Sequence, residues 1–288
     1  MRILTTLLAL LLSLPALAES NPYQDLSAGE LRSRLAKLDA VHEESWYQVE
    51  VLVFAREGLT TSEYWRLDQR PALVPENAII PAADSALLPE QADNLDQQAA
   101  RLGAWRTLGE ENRILRDMLA RMEKQGDYRV LFHQAWRQPV RERARAFPLY
   151  LTGGEQRPVA ATETTTPEAL DFGLPPLDTG DADLAANTGI TGDQVTGSHA
   201  QPVLQPELQG MIRLHRSRYL HVEPDLWFMS QTAEGQPYWV RINQNRRMRS
   251  DELHYLDHPL FGLLVRLTPW KTDQQKDAEL LQQALKAK

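Results

Sequence analysis

Apolar residues recur along this chain in two rhythms, one helical and one alternating. Leu26, Leu31, Leu35 and Leu38 keep helical spacing, and Ser27 with Glu30 forms a capping-box start, so a helix is predicted from about Ala28 to Leu38. The run Trp46-Tyr-Gln-Val-Glu-Val-Leu-Val-Phe54 is β-branched and aromatic, and apolar at nearly every late position. That is the pattern of a strand buried on both faces. Pro71, Pro75, Pro81 and Pro89 then predict an extended loop from about Leu67 to Asp96. Helical patterning returns near Leu95–Gly109 and over 111–125. In the second, Ile114, Leu115, Met118, Leu119 and Met122 form one stripe, closed by Gly126 at a left-handed C-cap position. Tyr128 to Trp136 alternates Tyr, Val, Phe, Gln and Trp on one side, a second strand.

Residues 152–206 are Thr, Ala, Asp, Gly and Pro with few large apolar groups. Such a segment cannot bury enough surface to offset its ordering entropy and reads as a flexible insertion or linker. The block that follows is denser. Leu208 to Val222, Tyr238 to about Met248 and Phe261 to Thr268 read as three strands, with turn chemistry at Glu234-Gly-Gln-Pro237. The last residues, 271–288, form a charged and weakly amphipathic tail that Asp273 could cap as a helix. The expected fold is α+β, mainly an antiparallel sheet of about five strands with helices packed on one face and long irregular insertions. The expected organisation is a signal segment (1–18), a helix and β-α-β part (19–151), the insertion (152–206), a C-terminal β block (207–270) and the tail (271–288).

The N-terminus sets the address. Arg2 is a short positive region, Ile3 to about Leu14 is apolar, Pro15 breaks the run and Ala16-Leu-Ala18 offers small residues to a signal peptidase. The apolar stretch falls short of the ~20 residues that span a bilayer, so cleavage is expected after Ala18 and export to the periplasm follows. The chain contains no Cys, which excludes both disulfides and a lipid-bearing cysteine after the signal, and no later stretch reads as a membrane anchor. Net charge is −8 before cleavage. An acidic protein repels phosphate, so nucleic acid is an unsuitable partner.

Candidate chemistry concentrates in Arg246-Arg-Met-Arg-Ser-Asp-Glu-Leu-His-Tyr-Leu-Asp-His-Pro259. On a helix, His254 and His258 would share a face with Asp257 between them, a zinc spacing that would suit a periplasmic metal-dependent hydrolase. Zinc peptidases of that spacing use Glu as the acid, and Pro259 biases His258 out of helical geometry. A hydrogen-bonded turn between strands is the competing reading. Arg246, Arg247 and Arg249 have two readings as well: internal pairing with Asp251, Glu252 and Asp257, or recognition of an anionic ligand by guanidinium forks. Alternation would set Arg247 and Arg249 on one face and Arg246 with Met248 on the other. Tyr255 belongs to the same block, and Arg218, Tyr219 and His221 before it add donors and an aromatic platform. No nucleophile motif, phosphate-cradling glycine loop or cofactor signature is present, so no catalytic residue, resident metal or cofactor is assigned.

Four segments together resemble the CsiV family of periplasmic proteins from gammaproteobacteria. They are 46–56, 128–138, Gly210-Met-Ile-Arg-Leu-His-Arg-Ser-Arg-Tyr-Leu-His-Val222 and 246–262. The resemblance implies a non-enzymatic peptidoglycan-binding protein. It also implies action with the outer-membrane lipoprotein LpoA, which activates a class A penicillin-binding protein, and so a role in wall synthesis. It carries no site residues with it, although stem carboxylates suit arginines and sugar faces suit Trp and Tyr. N-terminal sequencing of the exported protein should begin at Glu19, and Ala18→Tyr should leave the precursor uncleaved.

Overall fold

The computed structural model describes residues 21–38, 40–58, 65–71, 74, 76–159 and 203–288. The signal segment lies outside them. In chain order the elements are α1 (Ala28–Leu35), β1 (Trp46–Arg56), α2 (Asn94–Arg101), α3 (Arg116–Gln125), β2 (Tyr128–Pro139), β3 (Leu149–Val159), β4 (Val203–Arg216), β5 (Leu220–Gln231), β6 (Pro237–Asn243), β7 (Arg246–Met248), β8 (Leu253–Asp257), β9 (Phe261–Trp270) and α4 (Asp273–Lys286). All named strands pair antiparallel. They form two sheets, one ordered β2-β1-β9-β8 and one ordered β3-β4-β5-β6 with β7 also on β5. The fold is the α+β, antiparallel class that the patterning predicts. Its strands divide between two sheets where one of about five was expected.

The division follows from which strands are apolar on both faces. Val49, Val51 and Val53 of β1 and Leu263, Val265 and Leu267 of β9 point into a core shared with Ile212, Val222 and Leu226 of the second sheet. Phe228 and Phe261 meet across that core with ring centroids 5.5 Å apart. On the opposite side Leu52, Phe54 and Leu264 pack beneath α3, against Leu115, Met118 and Leu119. A strand covered on both sides must lie inside a sheet with another layer on each face, and β1 and β9 take those positions. The strands of the second sheet alternate, with one apolar set facing the core, while Trp227, Met229 and Trp239 form a separate buried cluster on the other face.

Helix α3 begins at Arg116, later than the stripe suggests. The reason is Glu50, buried on the outer face of β1, whose carboxylate accepts the N–H groups of Ile114 at 2.7 Å and Leu115 at 2.9 Å. His133 Nε2 lies 2.8 Å from the same carboxylate. The carboxylate therefore takes up backbone donors just ahead of the helix.

β2 departs from strict alternation. Val53 pairs with Phe132 and Phe54 with Val130, so Leu131 is a bulge that flips Tyr128 and Val130 to the α3 side, while Phe132 and Trp136 stay with the main core. The Leu131 carbonyl also passes against β3. A Cβ added at Gly153 would lie 2.2 Å from that oxygen, so only glycine fits there.

Both ends of the predicted 152–206 insertion are strand. Residues 152–159 belong to β3 and 203–206 to β4, paired to each other, and 160–202 lie outside the described residues. The predicted strand Leu208–Val222 is two strands, β4 and β5, joined at Ser217-Arg-Tyr219, where Ser217 N–H bonds Tyr219 O at 3.1 Å. No Gly, Pro or Asn marks that turn. The predicted strand to Met248 is likewise two, β6 and β7. The β-α-β part is an antiparallel pair, β1 with β2, and not a parallel crossover. The tail is a docked helix: Thr272, not Asp273, caps α4 through Gln275, and Leu281 and Ala284 pack on Leu31 of α1.

Burial pushes the Glu50 carboxyl up, but the bonds from His133, Leu115 and Ile114 outweigh it and hold the group below its ordinary 4.5. The stabilisation is therefore complete above the unfolded-state pKa and is lost as pH falls through the lower folded value. Glu50→Ala, which orphans two backbone donors, should cost about 3 kcal/mol in urea melts at pH 7. Glu50→Gln should cost less and should flatten the acid limb of the stability curve.

Candidate functional site

Most of the predicted site lies where the chain passes from the second sheet to the first. In β7, Met248 pairs with Leu220, Arg247 with His221 and Arg246 with Val222. Alternation buries Met248 and leaves Arg247 on the outer face beside His221. Asp251 then adopts a left-handed backbone with φ 63°, a conformation that short polar side chains tolerate. Its N–H bonds Leu267 O at 2.8 Å, and β8 departs from there along β9.

Arg246, Arg247, Arg249, Glu252 and His254 line an open depression of about 400 Å³. Arg249 is paired with Glu252 at 3.3 Å, and its backbone N–H donates to His254 Nε2 at 3.1 Å. Arg246 and Arg247 have no carboxylate partner among the described residues. Arg247 instead lies over Tyr219, its guanidinium carbon 4.6 Å from the ring centroid, with that of Arg218 at 5.5 Å. Tyr219 sits in the β4–β5 turn and is 43% exposed. His221 Nδ1 meets Asn245 Oδ1 at 3.0 Å, and its ring stacks on His215 at 4.9 Å and 5°. The structure thus gathers Arg246, Arg247, Arg249, His254, Arg218, Tyr219 and His221 around one basic, aromatic surface.

Three predicted residues do not join it. Tyr255 and Asp257 point to the other face of β8, where Arg56 binds the Tyr255 hydroxyl at 2.5 Å and Asp257 at 2.6 Å, and Tyr255 donates to Asp257. His258 lies in the β8–β9 turn, its ring 4.8 Å from Trp65 and 5.1 Å from Phe261, with Nδ1 accepting the Leu260 N–H at 3.2 Å. The zinc spacing required a helix, whereas the segment is a strand followed by a turn. His254, Asp257 and His258 therefore face different surroundings. Among the described residues no group of three His, Asp or Glu side chains is placed to hold a metal. The hydrolase alternative loses its geometry with them.

A second polar group on the outer face was not read from the sequence. Glu223 accepts from Arg143 Nε at 2.9 and 3.1 Å, from Asn245 Nδ2 at 2.9 Å and from Arg213 Nη1 at 3.5 Å, and lies 3.2 Å from His215 Nε2. Burial pushes its carboxyl up, but Arg143 and His215 outweigh this and hold it below the usual carboxylate range. Burial pushes the His215 ring down, against the pull of Glu223. The signal was the alternation of Arg213 and His215 with His221 and Glu223. It becomes readable once the hairpin at 217–219 is known, because Arg213 then pairs with Glu223 and His215 with His221.

The chain matches the family model described as "Peptidoglycan-binding protein, CsiV" over residues 30–270, a span that contains both sheets and the basic depression. No curated protein and no solved structure matches it.

Burial lowers the His258 pKa to about 4, with Asp257 opposing. The stability that this neutral ring contributes is complete above its ordinary 6.5 and declines as pH falls toward the folded value. In an NMR titration the His258 ring should stay neutral to about pH 4. Added Zn²⁺ should leave the His254 and His258 resonances unshifted.

Proposed function

We propose that this chain, which belongs to the CsiV family of peptidoglycan-binding proteins, holds the wall polymer on the surface formed by Arg246, Arg247, Arg249, Arg218, Tyr219 and His221. One observation carries the location. In a protein of net charge −8, Arg246 and Arg247 have no carboxylate partner among the described residues and lie together at an exposed edge. Exposed guanidiniums without a carboxylate partner keep their donor forks available to an external anion. Peptidoglycan offers carboxylates on its peptide stems for the arginines and apolar sugar faces for the Tyr219 ring. His254, its Nε2 already engaged by the Arg249 N–H, holds the turn in shape.

The role is binding without catalysis. The exported protein works in the periplasm and engages the wall beside an outer-membrane lipoprotein of the LpoA type, in support of wall synthesis. Among the described residues no helix is long and apolar enough to cross a membrane. Attachment to the envelope then comes from non-covalent contacts with the polymer and its synthetic machinery.

Purified sacculi should retain the protein at moderate salt and release it as ionic strength rises. Arg247→Ala/Arg249→Ala should weaken retention about tenfold or more with an unchanged urea midpoint. Tyr219→Ala should weaken it less. Sacculi that fail to retain the wild-type protein would sink the proposal. Cross-linking to the lipoprotein partner should survive the arginine substitutions if that contact is made elsewhere on the protein.

A further inference from the structure

Proline interrupts the second sheet at one place. Pro224 on β5 has no N–H, and its carbonyl accepts the Gln244 N–H at 3.4 Å. A strand residue's N–H and C=O point the same way, so the missing donor faces the side where β6 ends and β7 has not begun. Asn243 still pairs with Asp225, and Arg246 pairs with Val222, but Gln244 and Asn245 leave the ladder between them. Three consecutive amide side chains are thereby set beside the charged row of β4 and β5.

There they line a depression of about 390 Å³ together with Arg143, Arg213 and Glu223, and with Met211 and Pro148 as an apolar floor. The carboxylates in it are already used. Glu223 is surrounded by Arg143, Asn245, His215 and Arg213, and Asp225 is held by the Arg241 fork at 2.6 and 2.7 Å. Arg143 and Arg213 are used only in part. Arg213 Nε is buried without a hydrogen-bond partner among the described residues, and Arg143 binds Glu223 through Nε alone while the side chain is 62% exposed. In the lining Arg143 and Arg213 balance Glu223 and Asp225, and Arg241, which holds Asp225 from outside the lining, adds one positive charge in excess.

That excess suits a single carboxylate rather than a dianionic phosphate. The amides supply both donors and acceptors, as peptide groups require. The small apolar floor suits a methyl side chain, and the lining has no aromatic ring for a sugar face. We propose that this depression is a second subsite, taking the free carboxylate end of a short peptide of the kind that peptidoglycan stems carry.

The inference rests on the peptidoglycan-binding reading above and assigns the part of the polymer recognised. Arg247 lies opposite His221 and Asn243 opposite Asp225, four residues further along β5. At the rise of an extended strand that is about 13 Å, so one stretch of wall polymer can engage both subsites.

The test uses a synthetic stem tetrapeptide as the free acid and as its C-terminal amide, titrated calorimetrically into the exported full-length protein. The free acid should bind, and the amide and the Arg213→Gln variant should each lower affinity about tenfold or more. Arg143→Gln, at a more exposed position, should also weaken binding and serves if Arg213→Gln does not fold. In Arg247→Ala/Arg249→Ala the preference for the free acid over the amide should persist while sacculus retention is weakened. Equal binding of acid and amide, indifference to both glutamine variants, or loss only in the Arg247→Ala/Arg249→Ala protein would overturn the subsite. So would an absence of peptide binding by protein that sacculi still retain. Wild-type protein that sacculi do not retain would instead overturn the underlying reading, whatever the peptide does.

Discussion

Burial of β1 and β9 on both faces is the constraint on which the rest of the molecule depends. Each apolar side chain taken fully out of water contributes roughly 1.5–3 kcal/mol, and these two strands carry such side chains on both faces. One face is covered by the second sheet and the other by α3. A charged residue caught in that double burial must be satisfied locally. Glu50 is, by His133 and by two backbone donors ahead of α3, and the helix start is displaced accordingly. The same packing brings β2 and β3 so close that Leu131 bulges and Gly153 can carry no side chain.

With its inner face committed to the core, the second sheet carries its charged residues on the outer face, beside a separate buried cluster of Trp227, Met229 and Trp239. Strand alternation leaves Arg213, His215, His221, Glu223 and Arg247 there in paired register. Pro224 spoils the ladder on one side and makes room for three amides. The basic turn between β7 and β8 continues this surface because the chain must cross from sheet to sheet at that point.

Several arginines elsewhere are committed to carboxylates inside the fold. Arg141 holds Glu44 and Asp96, Arg129 and Arg157 hold the buried Glu207, and Arg56 holds Asp257. These pairs tie loops, helices and strands together. Arg246 and Arg247 hold no carboxylate among the described residues. Composition alone could not separate the two groups, since both are arginines in an acidic chain.

The sequence by itself determined the antiparallel α+β class, the doubly buried first strand, the stripe of α3 and the family resemblance. Each of these rests on periodicity or on a contiguous run of residues, both of which are local. It also marked the Arg246–Pro259 block and the Arg218–His221 segment, and seven of the ten candidate residues in the two share one surface. Only the tertiary structure decided that Tyr255, Asp257 and His258 face elsewhere. Which side of β8 a residue faces, and which turn removes it from the strand, depends on pairing with β9 far along the chain. The Glu223–Arg213–Arg143 group was invisible for the same reason. Its members lie on separate segments, and they meet only when an unmarked three-residue turn folds β4 back on β5.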